Sequence, residues 1–153
     1  MSIEQEVDIL RNIPLFSNIE PPRLKLLAFT SERLTFKPEQ MLFKQGDSGD
    51  AAYILIDGSA DVIVDTPSGP LRVASVGNSD FVGEIAILCD VPRTASVQAT
   101  SDLTTLKITK DLFINMLKDF PDMSIEVMRV LAGRLETTTA QLTAAERKLA
   151  ELS

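Results

Sequence analysis

A series of short runs rich in β-branched residues between Leu34 and Ile108 restricts the fold of this chain more than any other feature. Turn-forming residues separate the runs, which read LTF, MLF, AYILI, ADVIVD, LRVASV, TASVQAT and LTTLKI. Many short strands at close spacing are typical of antiparallel sandwiches and barrels, because a parallel sheet needs a long crossover between successive strands. We therefore predict a β-sandwich or barrel over residues 34–109.

The dipeptide Asp57-Gly58 lies between two of these apolar runs. Glycine readily adopts the positive φ angle that a tight turn requires. We predict a β-hairpin at this point, in which the two flanking strands pair with each other.

Helical spacing of apolar residues replaces the strand pattern at both ends of the chain. Residues 1–33 are predicted to form two short helices, with the apolar faces Ile3, Val7 and Leu10, then Leu24, Leu27 and Ala28. Residues 110–153 are predicted to form a hinge helix and a long helix, which Pro121 divides. The expected class is α+β, with helices flanking a central β-domain.

The long helix has a seven-residue repeat of apolar residues. One seam is Met128, Leu135, Leu142 and Leu149, and its companion is Leu131, Thr138 and Ala145. A heptad seam of this kind is typical of a helix that pairs with another helix. Two interpretations stay open: the helix packs on its own domain, or it projects and forms a homodimer with a second copy.

The composition excludes several classes of function. The chain carries 15 basic and 22 acidic residues, a net charge of −7, which opposes non-specific attraction to nucleic acid or to anionic membranes. No signal peptide and no membrane-spanning run is recognisable, so a cytoplasmic location is expected. With no histidine and a single cysteine, Cys89, the usual metal and histidine-based catalytic sites lack their commonest ligand or base. We expect no metal site and no enzymatic activity.

The segment FVGEIAILCDVPRTASV at residues 81–97 combines groups that suit a ligand. A short helix beginning at Glu84 would leave backbone N–H groups unpaired, and Gly83 would allow close approach to them. Pro92 ends the helix, so that the chain turns back and brings Arg93, a fork of donors suited to phosphate, to the same place. Glu84 would repel a phosphate but can accept hydrogen bonds from hydroxyl groups. A phosphate beside a sugar hydroxyl fits both residues; alternatively, Glu84 and Arg93 form a salt bridge that only closes the loop.

The segment resembles the phosphate-binding cassette of cyclic nucleotide-binding domains, a family that includes bacterial catabolite-activator-type regulators, cyclic-nucleotide-dependent kinases and cyclic-nucleotide-gated channels. The matching residues are Phe81, Val82, Gly83, Glu84, Ile85 and Ala86, followed by Pro92, Arg93, Thr94, Ala95, Ser96 and Val97. The string IPLFSNI at 13–19, the Gly46-Asp47 turn and the terminal helices also resemble the family. The resemblance implies an antiparallel β-roll, jelly-roll-like, with cAMP or cGMP as its ligand.

The resemblance also implies roles for individual residues. Glu84 would take the ribose 2′-hydroxyl, Gly83 and Ala86 would approach the ligand through their backbone, Arg93 would pair with the cyclic phosphate, and Ala95 would offer its amide. Val82 and Ile85 complete the same ligand-binding string.

Three threonines bear on base recognition by the same resemblance. Thr94 follows the arginine, where threonine occurs in cGMP-binding members, but its hydroxyl could instead serve the phosphate or the strand. Thr138 and Thr139 match hydroxyl residues of the dimer helix that touch the purine in bacterial activators; the alternative is that they are surface residues.

The chain departs from the family's transcription factors because no winged helix-turn-helix follows the long helix before Ser153. We therefore expect a stand-alone regulatory protein that binds cAMP or cGMP, switches its C-terminal helices and acts through an unknown protein effector without contacting nucleic acid directly. The alternative is a fold-retaining dimerisation or partner-binding module that binds no cyclic nucleotide.

Overall fold

The computed structural model describes residues 2–152, in which helices flank a roll of two antiparallel sheets. The N-terminal helices are α1 (Ile3–Arg11), a 3₁₀ turn (Pro14–Phe16) and α2 (Pro21–Thr30). The strands are β1 (Glu32–Phe36), β2 (Met41–Phe43), β3 (Ala51–Asp57), β4 (Ala60–Thr66), β5 (Gly69–Val76), β6 (Phe81–Val82), β7 (Ser96–Ala99) and β8 (Leu103–Thr109). Helix α3 (Glu84–Cys89) lies between β6 and β7, and α4 (Lys110–Asp119) and α5 (Pro121–Leu152) follow β8.

The first sheet has the strand order β1-β8-β3-β6 and the second β2-β7-β4-β5, and all pairs are antiparallel. This arrangement confirms the predicted antiparallel β-roll with flanking helices and a long final helix.

Strand β3 explains how the roll and the helices share one core. Its first six residues are all buried. Alternate side chains from Ala52 to Ile56 pack against the helices, and those from Ala51 to Leu55 pack between the two sheets. Because side chains alternate across a strand, a strand covered on both faces must be apolar throughout.

The predicted hairpin at Asp57-Gly58 is wrong. Strand β3 pairs with β6 and β8, whereas β4 pairs with β5 and β7 in the other sheet, so the turn carries the chain from one sheet to the other. Gly58 has φ +117°, and a Cβ there would lie 2.4 Å from the carbonyl oxygen of Asp102. The glycine is required by this tight corner, while strand pairing is decided by which faces are buried.

Helix α5 leaves the body of the protein after its first turns. Met123 and Val127 are buried, but every residue from Leu135 to Leu152 is exposed. The first heptad seam is open to solvent, with exposed fractions of 61% at Met128, 67% at Leu135, 60% at Leu142 and 67% at Leu149.

Candidate functional site

The cassette begins where β6 ends at Val82 and α3 begins at Glu84. Gly83 joins the two with φ +88°, a conformation that side chains disfavour. A Cβ on Gly83 would also lie 2.6 Å from Nη1 of Arg93. Glycine at this position therefore provides both the turn into α3 and the space for the arginine.

Arg93 is fixed by contacts from three sides. Its Nη1 donates to the carbonyl oxygen of Gly83 at 2.8 Å, and its Nη2 donates to that of Ala51 at 2.7 Å. The guanidinium carbon lies 4.0 Å from the centroid of the Phe43 ring. The backbone N–H of Arg93 donates to Asp47 at 2.8 Å, which ties the residue to the loop after β2.

The guanidinium of Arg93 is buried and has an unpaired nitrogen. The residue is 3% exposed, and its Nε is a buried nitrogen with no hydrogen-bond partner. Across residues 2–152, no carboxylate forms an ion pair with it. Burial lowers the pKa of Arg93, since removal from water disfavours the charged form. A buried cation of this kind can accept an anion.

Glu84 is the second buried charge of the cassette, and its partner is on α5. The residue is 2% exposed, and its Oε1 accepts a hydrogen bond from Nη1 of Arg134 at 2.7 Å. Nη2 of Arg134 donates to the carbonyl oxygen of Phe81 at 2.7 Å, and the guanidinium lies 4.8 Å from the centroid of the Phe81 ring. Burial raises the pKa of Glu84, and the positive charge of Arg134 partly offsets the rise.

The alternative in which Glu84 and Arg93 close the loop as a salt bridge is therefore not what the structure contains. Sequence reasoning missed Arg134, although this residue opens the string RLETTTAQL from which Thr138 and Thr139 were selected. Arg134 lies one turn before those threonines, but no pattern in the sequence links it to Glu84.

The remaining site residues fall into buried and exposed groups. Val82 and Ala86 are buried, Ala95 is half-buried, and Ile85 and Thr94 are exposed. Ala86 lies so close to Gly49 that a Cβ added there would approach the Ala86 Cβ to 2.2 Å. The loop after β2 and helix α3 are thus in direct contact.

Thr138 and Thr139 are exposed on α5, one turn beyond Arg134. The hydroxyl of Thr138 donates to the carbonyl oxygen of Arg134 at 2.9 Å. The fold brings Gly83 and Arg93 into direct contact, with Glu84 adjoining Gly83, and leaves the two threonines on a surface that no other element of the described chain covers.

Residues 2–152 contain no group of three or more acidic, cysteine or histidine side chains that could hold a metal ion. No helix among them is both long and apolar enough to cross a membrane.

Comparison with known proteins gives consistent matches. Residues 33–120 match the family model of the cyclic nucleotide-binding domain. A CRP-like cAMP-activated global transcriptional regulator of Mycobacterium tuberculosis is 29% identical over 136 residues, which cover 88% of this chain and 61% of the regulator. A cAMP-dependent protein kinase regulatory subunit of Emericella nidulans is 32% identical over 108 residues, which cover 71% of this chain and 26% of that subunit.

A solved structure adds agreement in three dimensions. The regulatory subunit of a cAMP-independent protein kinase A from Trypanosoma brucei has a TM-score of 0.74 and 26% identity, covering 84% of this chain and 45% of that one. The chain spans less than two thirds of each of these three relatives. Because the family model covers more than half of the sequence, this chain belongs to the cyclic nucleotide-binding domain family.

Proposed function

We propose that this protein is a non-catalytic cyclic nucleotide receptor, with cAMP and cGMP as the candidate ligands. The observation that carries the proposal is the buried guanidinium of Arg93, whose Nε has no partner. A cyclic phosphate supplies the missing negative charge and the oxygen acceptors, and a planar guanidinium suits phosphate oxygens. The M. tuberculosis relative, named as cAMP-activated, supports the same ligand class.

The other cassette residues complete the proposed site. Glu84 accepts the hydrogen bond of the ribose 2′-hydroxyl, while the backbone of Gly83, Ala86 and Ala95 faces the sugar and phosphate. Gly83 has no side chain, which suits close approach of a ligand. A neutral hydroxyl can donate a hydrogen bond to the buried carboxylate of Glu84, and a negatively charged phosphate can pair with the buried guanidinium of Arg93.

A calorimetric titration with cAMP and with cGMP tests the proposal. Arg93→Lys and Arg93→Met remove the fork of donors, and a charge-assisted hydrogen bond is worth about 1.5–3 kcal/mol, so we expect affinity to fall by at least about tenfold to a hundredfold. The matched control is Arg72→Ala, since Arg72 lies on β5 with 65% of its side chain exposed. Unchanged affinity in folded Arg93 variants would contradict the assignment.

The base preference is proposed to depend on Thr94, which is exposed beside Arg93. A hydroxyl there can accept from the amino group of guanine, which adenine lacks at that position. Thr94→Ala should then lower affinity for cGMP more than for cAMP. An equal loss for both ligands would assign the hydroxyl to the phosphate, and no loss would assign it to the strand.

Helix α5 is proposed to be the element that changes when nucleotide binds. A ribose hydroxyl at Glu84 must share the carboxylate with Arg134, so occupancy of the site alters a contact that holds α5. Amide hydrogen exchange over residues 131–152 should therefore change on addition of nucleotide in the wild type. The same protection with and without bound nucleotide would contradict the switch.

We further propose that α5 pairs with α5 of a second copy. The open seam of Met128, Leu135, Leu142 and Leu149 has coiled-coil spacing, and pairing would remove it from water. Thr138 and Thr139 lie on the same exposed part of α5, so a second copy could complete the base pocket with them. Light scattering should give a dimer for the wild type and a monomer for Leu135→Glu with Leu142→Glu, with Lys148→Glu as control. A monomeric wild type at high micromolar concentration would refute pairing.

A second candidate function is a partner-binding module that retains the fold without binding a cyclic nucleotide. The T. brucei relative, named as cAMP-independent, favours keeping this candidate. The titration separates the two: no heat and no competition by either nucleotide, from a folded and nucleotide-free protein, would support the module. Any unidentified protein effector would then be sought through α5.

A further inference from the structure

We propose that Phe43 is a positioning residue, which holds the guanidinium of Arg93 in the orientation needed to receive an anion. The inference rests on the proposed function for its effect on nucleotide affinity, but the contact itself can be tested without any ligand. Phe43 is the last residue of β2, outside the cassette string, and it was not among the residues selected from the sequence.

The hydrogen bonds of Arg93 alone leave one motion free. Nη1 and Nη2 each donate to a backbone carbonyl, of Gly83 and of Ala51. Two bonds from the two terminal nitrogens still permit the guanidinium plane to swing about the line that joins them. The Phe43 ring lies 4.0 Å from the guanidinium carbon and blocks this swing on one side.

The ring itself is held in place by its surroundings. Its centroid lies 5.8 Å from that of Tyr53 at an interplanar angle of 34°, and Tyr53 is buried on β3. A Cβ on Gly83 would lie 3.4 Å from the ring edge of Phe43, so the start of α3 bounds the ring as well. Phe43 is paired with Val97 in the sheet, which fixes its backbone.

The contact with the Phe43 ring is stabilising because the guanidinium of Arg93 is charged. The face of an aromatic ring is negative, and a cation over it is stabilised most strongly when water is excluded. Arg93 has no ion-pair partner in residues 2–152, so the ring partly replaces the solvent that burial has removed. Loss of the ring would let the guanidinium populate orientations that cannot receive the phosphate, and apparent affinity falls with the competent fraction.

The first experiment compares nucleotide titrations of the wild type and four variants, namely Phe43→Leu, Phe43→Tyr, Arg93→Met and Arg93→Met with Phe43→Leu. Phe43→Leu should weaken binding of the preferred cyclic nucleotide by about tenfold, because it removes the ring but retains an apolar side chain of similar size. Phe43→Tyr keeps an aromatic ring and should retain most of the wild-type affinity. In an Arg93→Met background, Phe43→Leu should cause no further loss of nucleotide affinity. If Phe43 were merely structural, its replacement would lower the affinity further in that background as well. Additive losses, or wild-type affinity in Phe43→Leu, would overturn the inference.

The second experiment uses the unliganded protein and the proton on Nε of Arg93 as a probe. A proton above an aromatic ring resonates upfield, so the Arg93 signal, assigned by its loss in Arg93→Lys, should lie upfield and move downfield in Phe43→Leu. A signal at the same position in both proteins would overturn the inference. If the wild type binds neither cAMP nor cGMP while this shift is present, the proposed function fails and the positioning by Phe43 stands.

Discussion

Replacing Arg134 by methionine should expose the free energy cost of the buried carboxylate in the cassette. Arg134 donates a hydrogen bond of 2.7 Å to Glu84, whose side chain is 3% exposed. A hydrogen bond to a charged group contributes about 1.5–3 kcal/mol. The Arg134 side chain is 36% exposed, so solvent screens part of this interaction and we expect a loss of about 2 kcal/mol at neutral pH.

The loss should depend on pH in a defined direction. Arg134 favours the ionised form of Glu84, so the interaction is present when the carboxylate is charged and disappears as the pH falls through the pKa of Glu84. For a domain of this size, about 2 kcal/mol corresponds to a melting temperature lower by about 6 °C. At pH 4 the difference between wild type and Arg134→Met should be much smaller.

Urea unfolding of wild type, Arg134→Met, Glu84→Gln and the double variant isolates the pair from the other contacts of Arg134. The guanidinium also lies on the Phe81 ring and bonds its carbonyl oxygen, and the double-mutant cycle removes these contributions. An additive cycle at pH 7, or the same loss at pH 4 and pH 7, would refute the reasoning.

Three further predictions concern the cassette and α5. Burial raises the pKa of Glu84, so the wild type should lose stability relative to Glu84→Gln as the pH rises from below the unfolded-state pKa through the raised folded-state pKa. The measurement is the difference in free energy of unfolding between the two proteins, and a difference that does not change with pH would contradict this. Gly49→Ala should destabilise by about 1–3 kcal/mol, because its Cβ would approach that of Ala86 to 2.2 Å. Gly133→Ala should stabilise α5 by about 0.5–1 kcal/mol, since the added Cβ would meet no atom within 4 Å apart from the adjacent backbone of the helix, and glycine is unfavourable inside a helix; a lower denaturation midpoint would contradict this.

The architecture was predictable because local patterns determine it. The apolar run of β3 and the turn residues between runs indicate strands whatever their partners are, and the number and shortness of those strands indicate a sandwich or barrel, whereas the roll was implied by the family resemblance. The pairing of β3 was not predictable from Asp57-Gly58. A glycine turn indicates a change of direction, but the neighbour of each strand depends on which faces the helices cover.

The site was predictable only where its residues are close in sequence. Gly83 and Arg93 are ten positions apart, and Pro92 turns the chain back so that the two residues come into contact within this short segment. Arg134 follows Glu84 by fifty positions, and their contact depends on the direction in which α5 leaves α4. No local pattern encodes that direction, so the countercharge of Glu84 could be identified only from the fold.

Arg134 contacts Glu84 near the point where α5 leaves the body of the protein, so a small tilt of α5 there would produce a larger displacement at its far end. The residues from 135 to 152 extend beyond the contact with Glu84 for about 27 Å at 1.5 Å per residue. A tilt of about 10° at the base would carry the tip through about 5 Å, a displacement as large as one helical turn. Spin labels on the exposed Cys89 and on Glu151→Cys would report such a movement as a change in their separation, and an unchanged separation would exclude it. If α5 tilts as proposed, a rearrangement around the Glu84 carboxylate would move a surface about 27 Å away from the contact with Arg134.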